Sequence, residues 1–273
     1  MTLKEMSNKL RAESGIQVSP QAISKALDGK CYTIKQLHYM TDTMNSDENK
    51  RKRKDYTTKI LNFTGEGKTL IFIDESNVNL FLRRSIGRAR KGERCVVRRP
   101  NTKGPNVHMI AAISQQRLHR FERKRGHFRG EDAKEWLRGL LRELRADGYA
   151  MNQLVIVADN APCHSQLEQV SSEEEFSDVT IIRLAPYSAP MNPIEYAWSS
   201  IKAKIKSSLS TNFNRPMDDR GGLTMMELRL RRVEDAIASA IASVNMMHCL
   251  SFFNHLQKFY PLTMSCNDLP VGM

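Results

Sequence analysis

The 273-residue chain lacks any apolar run approaching the roughly 18–20 residues that a membrane-spanning helix needs, so no single-helix membrane anchor is expected. No apolar stretch follows the first residues, and nothing there marks a secretory leader. Cysteine is sparse and unpaired. Cys31, Cys95, Cys163, Cys249 and Cys266 are odd in number, dispersed and never in CxxC spacing, which argues against a disulfide framework and leads us to expect reduced thiols. Acidic residues are in deficit: 30 Asp and Glu face 42 Lys and Arg, a net charge of +12. Such an excess favours a polyanionic partner, and nucleic acid is the obvious one. No internal repeat stands out. The length suffices for one substantial core and a small additional module.

Two short apolar runs rich in Ile and Val each deliver a carboxylate. Residues 69–73 (TLIFI) read as a buried strand that ends at Asp74-Glu75-Ser76. Residues 154–158 (LVIVA) read the same way and stop at Asp159-Asn160-Ala161-Pro162. Further on, Asn192-Pro193 is a helix start, with Asn as N-cap and Pro at the first helical position, and it places Glu195 in the first turn. Ile194, Trp198, Ile201 and Ile205 recur at helical spacing and face the core, leaving Glu195, Ser199, Lys202 and Lys206 on a polar face. Three hard oxygen ligands suit Mg²⁺ or Mn²⁺, and two such ions about 3.5–4 Å apart serve phosphodiester chemistry. Taken singly, each carboxylate is also ordinary turn or capping chemistry. Cys163 and His164 follow Asp159 closely, but adjacent ligands are not a zinc pattern, so no metal role is assigned to them.

In order along the chain, IFIDES, NLFLRRSIGRARKGERC, NVHMIAAIS, LVIVADNAPCH and LAPYSAPMNPIEYAWSSIKAKIK resemble the DDE catalytic domain of the Tc1/mariner transposase superfamily. They span roughly residues 69–206, and the segment GLTMMELRLRRVEDAIASAIASV resembles the closing helix of such proteins. The resemblance implies an RNase H-like fold, a mixed five-stranded sheet flanked by helices, with Asp74, Asp159 and Glu195 as catalytic and metal-binding triad. Asp159 and Glu195 are separated by 35 residues, close to the short interval of that superfamily. It further implies two Mg²⁺ or Mn²⁺ ions, cut-and-paste transposition into TA target sites, transposon-end DNA as partner and a homodimer on that DNA. Members carry two helix-turn-helix units ahead of the catalytic domain, and this sequence begins part-way through what corresponds to the second.

Residues 1–40 read as that partial helix-turn-helix module. One helical stripe, Leu3, Met6 and Leu10, stops at Gly15; Ser19-Pro20 restarts a helix that Gly29 ends. Its polar face, Gln21, Ser24, Lys25 and Asp28, would reach base edges in a major groove; Gln21, Ser24 and Lys25 are the candidate contacts. Residues 41–65 form a basic helical linker containing Lys50-Arg51-Lys52-Arg53-Lys54, which reads as a nuclear localisation signal, a phosphate-tracking patch or a solvated helix face. Residues 66–260 then make the catalytic domain, and 261–273 a tail.

Within the catalytic domain we expect a hairpin, with strands at 80–82 and 95–97 around the loop GRARKG. Arg88, Arg90 and Lys91 there, with Lys202 and Lys206, are candidate DNA-backbone contacts. A strand at 107–113 completes a meander, 131–146 is an amphipathic helix with Trp136 inward, and Glu173–Glu175 mark a solvated helix end. The expected function is metal-dependent DNA cleavage and strand transfer in the nucleus. The alternatives are a DNA-binding relic without catalysis and a general RNase H-like nuclease.

Overall fold

A computed structural model describes residues 3–30, 40–82, 104–126, 128–211 and 222–270, with the isolated positions 90, 92, 94 and 96. The chain divides into two compact units, residues 1–40 and 41–271. The first is a helix pair, α1 (Leu3–Ser14) and α2 (Pro20–Asp28). Gly15 ends α1 at φ +70°, a conformation that costs glycine little. Ser19 caps α2 by accepting from the Ala22 amide at 3.1 Å, and Pro20 occupies the first helical position.

The second unit is built on a mixed sheet. Its elements are α3 (Asp47–Gly65), β1 (Thr69–Asn79), β2 (Asn106–Ile113), β3 (Leu118–Arg125), α4 (Gly130–Ala146), β4 (Leu154–Ala158), α5 (Glu168–Ser171), β5 (Thr180–Arg183), α6 (Pro193–Thr211), α7 (Met225–Ala242), α8 (Met246–Gln257) and α9 (Tyr260–Met264). Strand order is β3-β2-β1-β4-β5, antiparallel from β3 to β1 and parallel from β1 to β5. Alternation along each strand feeds two cores. Phe72, Val78, Val155 and Val157 face one, with Ile194, Trp198, Ile201 and Ile205 of α6. Ile71, Ile73, Ile156 and Ala158 face the other, with Trp136, Leu137, Leu140, Leu141 and Leu144 of α4. Trp136 is thus a core residue, as its spacing predicts.

Three readings of the sequence need correction. First, β1 does not end at Asp74. Its parallel pairing with β4 covers Thr69 to Ile73, but its antiparallel pairing with β2 continues from Phe72 to Asn79, so Asp74 lies inside the strand, just past the reach of β4. Second, residues 80–82 are not a strand: Leu80 and Phe81 form a turn, Leu82 carries no regular structure, and β2 itself is the antiparallel partner of β1. The expected strand at 95–97 and most of the GRARKG loop lie outside the described residues. The remaining strand of the five is instead β3, whose charges suit an edge. Arg125 on it pairs with Glu227 and Glu234 of α7. Third, Glu173–Glu175 are not simply solvated. Glu173 pairs with Arg138, and Glu175 with Arg142 and Arg145, one helical face of α4.

The basic run also resolves residue by residue. Arg53 is buried and donates to the Met44 carbonyl and Asn45 Oδ1, both at 2.9 Å. Lys50 pairs with Asp268, while Arg51, Lys52 and Lys54 face solvent. Helix α3 packs on α9, where the Thr57 and Thr263 hydroxyls meet at 2.8 Å.

Candidate active site

The strand period decides where the acids point. Asp74 shares the face of Phe72, the side on which α6 packs. Asp159 follows Val155 and Val157 onto that same face, where β4 has ended. Ile73 and Ala158 are register partners, so Asp74 and Asp159 are the next positions on adjacent strands, whose backbones lie about 4.8 Å apart. Glu195 comes from the first turn of α6, whose roll is set by the buried Ile194, Ala197, Trp198 and Ile201. Asp159 and Glu195 line a cleft of about 990 Å³ whose other walls are the segment 181–189 and, from α3, Lys52, Tyr56 and Lys59. The structure therefore brings all three sequence-predicted acids together.

Their electrostatics differ. Asp74 is buried, and its carboxyl is pushed up to about 8, first by loss of water and then by the charges of Glu195, Asp159 and Glu75. Glu195 is exposed at the cleft rim, yet partial loss of water raises its carboxyl too; Asp159 adds to that and Lys202 opposes it. Burial also pushes against an ionised Asp159, but the His164 ring and the Ala161 amide, hydrogen-bonded to its Oδ1 at 2.6 and 3.0 Å, hold it below the usual carboxylate range.

His164, Glu75 and Arg183 are the residues that sequence reasoning missed. His164 is wholly buried at the end of a short 3₁₀ turn, Pro162–His164. Its Nε2 lies 2.7 Å from Glu75 Oε2, close enough for an ion pair but out of line for a hydrogen bond. Cys163 Sγ donates to the same Glu75 oxygen at 3.4 Å. Arg183 of β5 donates to the Asp159 carbonyl at 2.9 Å and to the His164 carbonyl, and pairs with Glu168. Continuing the alternation of β1 by one residue past Asp74 would have sent Glu75 to the opposite face, towards Ile71 and Ile73. Nothing in the spacing of DNAPCH would have turned the histidine back onto its own aspartate.

Asn192 stands at the expected N-cap position of α6, but its side chain does not cap: Oδ1 is buried without a hydrogen-bond partner among the described residues. Lys202 and Lys206 are half-buried one turn apart on α6, and neither has an acidic partner within ion-pair distance among the described residues. Gln21 and Lys25 are exposed on α2, with Ser24 half-buried beside them. Arg90 is exposed outside regular structure, and Arg88 and Lys91 lie outside the described residues.

A model of the DDE superfamily endonucleases matches residues 69–215, from the start of β1 through α6. Among solved structures, the Mos1 transposase paired-end complex with left transposon end is similar at 16% identity and TM-score 0.69, over 97% of this chain and 74% of that one. The Mos1 strand transfer complex is similar at 17% identity and TM-score 0.66, over 99% and 75%. The catalytic domain of Mos1 mariner transposase alone gives 11% and 0.53, over 86% and 100%. At these identities the likeness establishes a shared fold, the RNase H-like sheet with its flanking helices. No curated protein matches the sequence.

Proposed function

The chain belongs to the DDE superfamily endonucleases, and from that membership we propose that it is a Tc1/mariner-type transposase that cuts DNA and joins the freed end to a target. One observation carries the reading: carboxylates from β1, β4 and α6, far apart in sequence, lie close enough for Glu195 and Asp159 to raise Asp74, and Asp159 and Glu195 line one cleft, with Lys202 acting on Glu195.

The residues present fit a divalent cation. Burial and the charges of Glu195, Asp159 and Glu75 push the Asp74 carboxyl up to about 8, a crowding of carboxylates that a cation would relieve, and the three acids offer hard oxygen ligands. Asp74, Asp159 and Glu195 would hold Mg²⁺ or Mn²⁺, two ions in all; Mos1 structures include complexes with Mn and with Mg. When bound, the ions supply Lewis acidity towards the attacking and leaving oxygens of a phosphodiester. Asp159 is fixed in orientation by its turn, and Glu195 faces it across the cleft. Lys202 and Lys206 track a phosphate backbone along α6.

In cleavage, a water oxygen bonds to phosphorus and the bond from phosphorus to the 3′ oxygen breaks. The water gives up its proton and the leaving oxygen takes one, leaving a 3′-hydroxyl and a 5′-phosphate. In strand transfer that 3′-hydroxyl bonds to a target phosphorus and displaces a target 3′ oxygen, which leaves as a new hydroxyl. We assign Gln21, Ser24 and Lys25 to base edges of the transposon end, with Arg88, Arg90 and Lys91 on the backbone. The working state is a homodimer on paired ends, the target is a TA dinucleotide and the compartment is the nucleus, for which the exposed Arg51, Lys52 and Lys54 suit an import signal.

The test is strand transfer. The purified chain is incubated with Mn²⁺, a supercoiled target plasmid and a pre-cut duplex ending in a free 3′-hydroxyl. Joined products whose junctions fall at TA support the reading. Cleaved but never joined DNA reduces the protein to a nuclease.

A further inference from the structure

The chain ladder ends at Ala158, so no strand pairing holds Asp159, and a half-exposed carboxylate there is free to rotate unless something else fixes it. Two donors do. The Ala161 amide and His164 Nδ1 both reach Oδ1, at 3.0 and 2.6 Å, while Oδ2 takes no hydrogen bond among the described residues. One oxygen is engaged by protein and the other is left for a ligand.

We propose that His164 is a positioning residue, clamping Asp159 in the rotamer that presents Oδ2 to the cleft, with Glu75 of the neighbouring strand as the anchor of its ring. This rests on the reading of Asp159 as a metal ligand. His164 has no exposed surface, so it touches neither substrate nor bulk water and acts through Asp159 alone. Its backbone is held from two sides: its amide donates to the Ala161 carbonyl at 2.9 Å, and its carbonyl accepts from Arg183. Its far nitrogen rests 2.7 Å from Glu75 Oε2, and the Cys163 thiol steadies that carboxylate. Strands β1 and β4 are thereby linked by side chains just beyond Ile73 and Ala158, where their parallel ladder stops. Outer partners of this kind hold ligands in place, and their loss typically lowers metal affinity by about 10–100-fold.

The two ring nitrogens can be tested apart, because an asparagine amide stands where Nδ1 does and a glutamine amide where Nε2 does. Mn²⁺ affinity of the full chain, read from the free-ion EPR signal at one pH, is compared for wild type, Asp159→Asn, His164→Ala, His164→Asn and His164→Gln, with thermal melts of each. We expect His164→Ala and His164→Gln to lose about 10–100-fold in affinity while His164→Asn stays within about threefold of wild type. If the alanine variant fails to fold, the Asn and Gln pair still decides. Equal affinities for the Asn and Gln variants, with Asp159→Asn weakened, overturn the clamp and leave Asp159 as a ligand. Wild-type binding that Asp159→Asn leaves unchanged removes the ligand itself, and with it both readings.

Discussion

Replacing Asp74 by Asn should make the metal-free protein more stable while removing a metal ligand. An acid whose folded-state pKa is raised opposes folding, and its cost grows as pH climbs from its unfolded value to its folded one. For Asp74 that window runs from 3.8 to about 8. At about 1.4 kcal/mol per pH unit, holding the group protonated at pH 7 costs at most about 4–5 kcal/mol, and at pH 5 about 2. Neighbouring carboxylates relax and water enters, so about 2–3 kcal/mol at pH 7 is the working figure. Asparagine removes the titration yet keeps the oxygen that accepts from the Glu75 amide at 2.8 Å. In EDTA at pH 7, Asp74→Asn should therefore melt roughly 5–10 °C above wild type, and the gap should shrink at pH 5. Added Mn²⁺ should raise the wild-type Tm and leave the variant nearly unmoved, since only the former binds it well. A variant that melts at or below wild type at pH 7, or a gap that does not narrow on acidification, refutes the charge-crowding argument.

Two further outcomes follow from the basic residues. Arg53→Ala should destabilise the fold by about 2–3 kcal/mol in a denaturant titration, because it empties a buried site and leaves the Met44 carbonyl without the guanidinium that donates to it; the adjacent Lys54→Ala, on an exposed position, should stay within about 0.5 kcal/mol. Lys202→Ala should weaken DNA binding about equally across sequences and lower the slope of log K against log salt by about one, read by fluorescence anisotropy between low and moderate salt.

Much of this site was legible because its elements announce themselves locally. LVIVA is too short and too apolar for anything but a buried strand, and Pro193 with Ile194, Trp198, Ile201 and Ile205 fixes both the start and the roll of α6. What was misread depends on partners distant in sequence. The segment ESNVN after Asp74 looks like a turn, yet β2 supplies an antiparallel ladder that keeps it extended. LHRFERKR shows only its basic charge in the sequence, yet it is an edge strand whose Arg120 and Lys124 pair with acids of α4 and whose Arg125 pairs with acids of α7. Arg53 sits in a run of five cations and is the only one of them buried, a distinction that helical phase alone did not draw. His164 carries no assignment in the sequence because adjacent Cys and His are not a zinc pattern; its contact with Asp159 comes from a 3₁₀ turn that folds it back towards that carboxylate.

The central claim is that Asp74, Asp159 and Glu195 form one metal-dependent active centre on DNA. Nicking of supercoiled plasmid in Mg²⁺ or Mn²⁺, by wild type and by Asp159→Ala and Glu195→Ala, tests it most directly. The account predicts nicking by wild type that vanishes in EDTA and in both variants, while all three proteins still bind DNA. Nicking that persists in either variant, or wild-type protein that binds DNA and nicks no more than the variants, contradicts it.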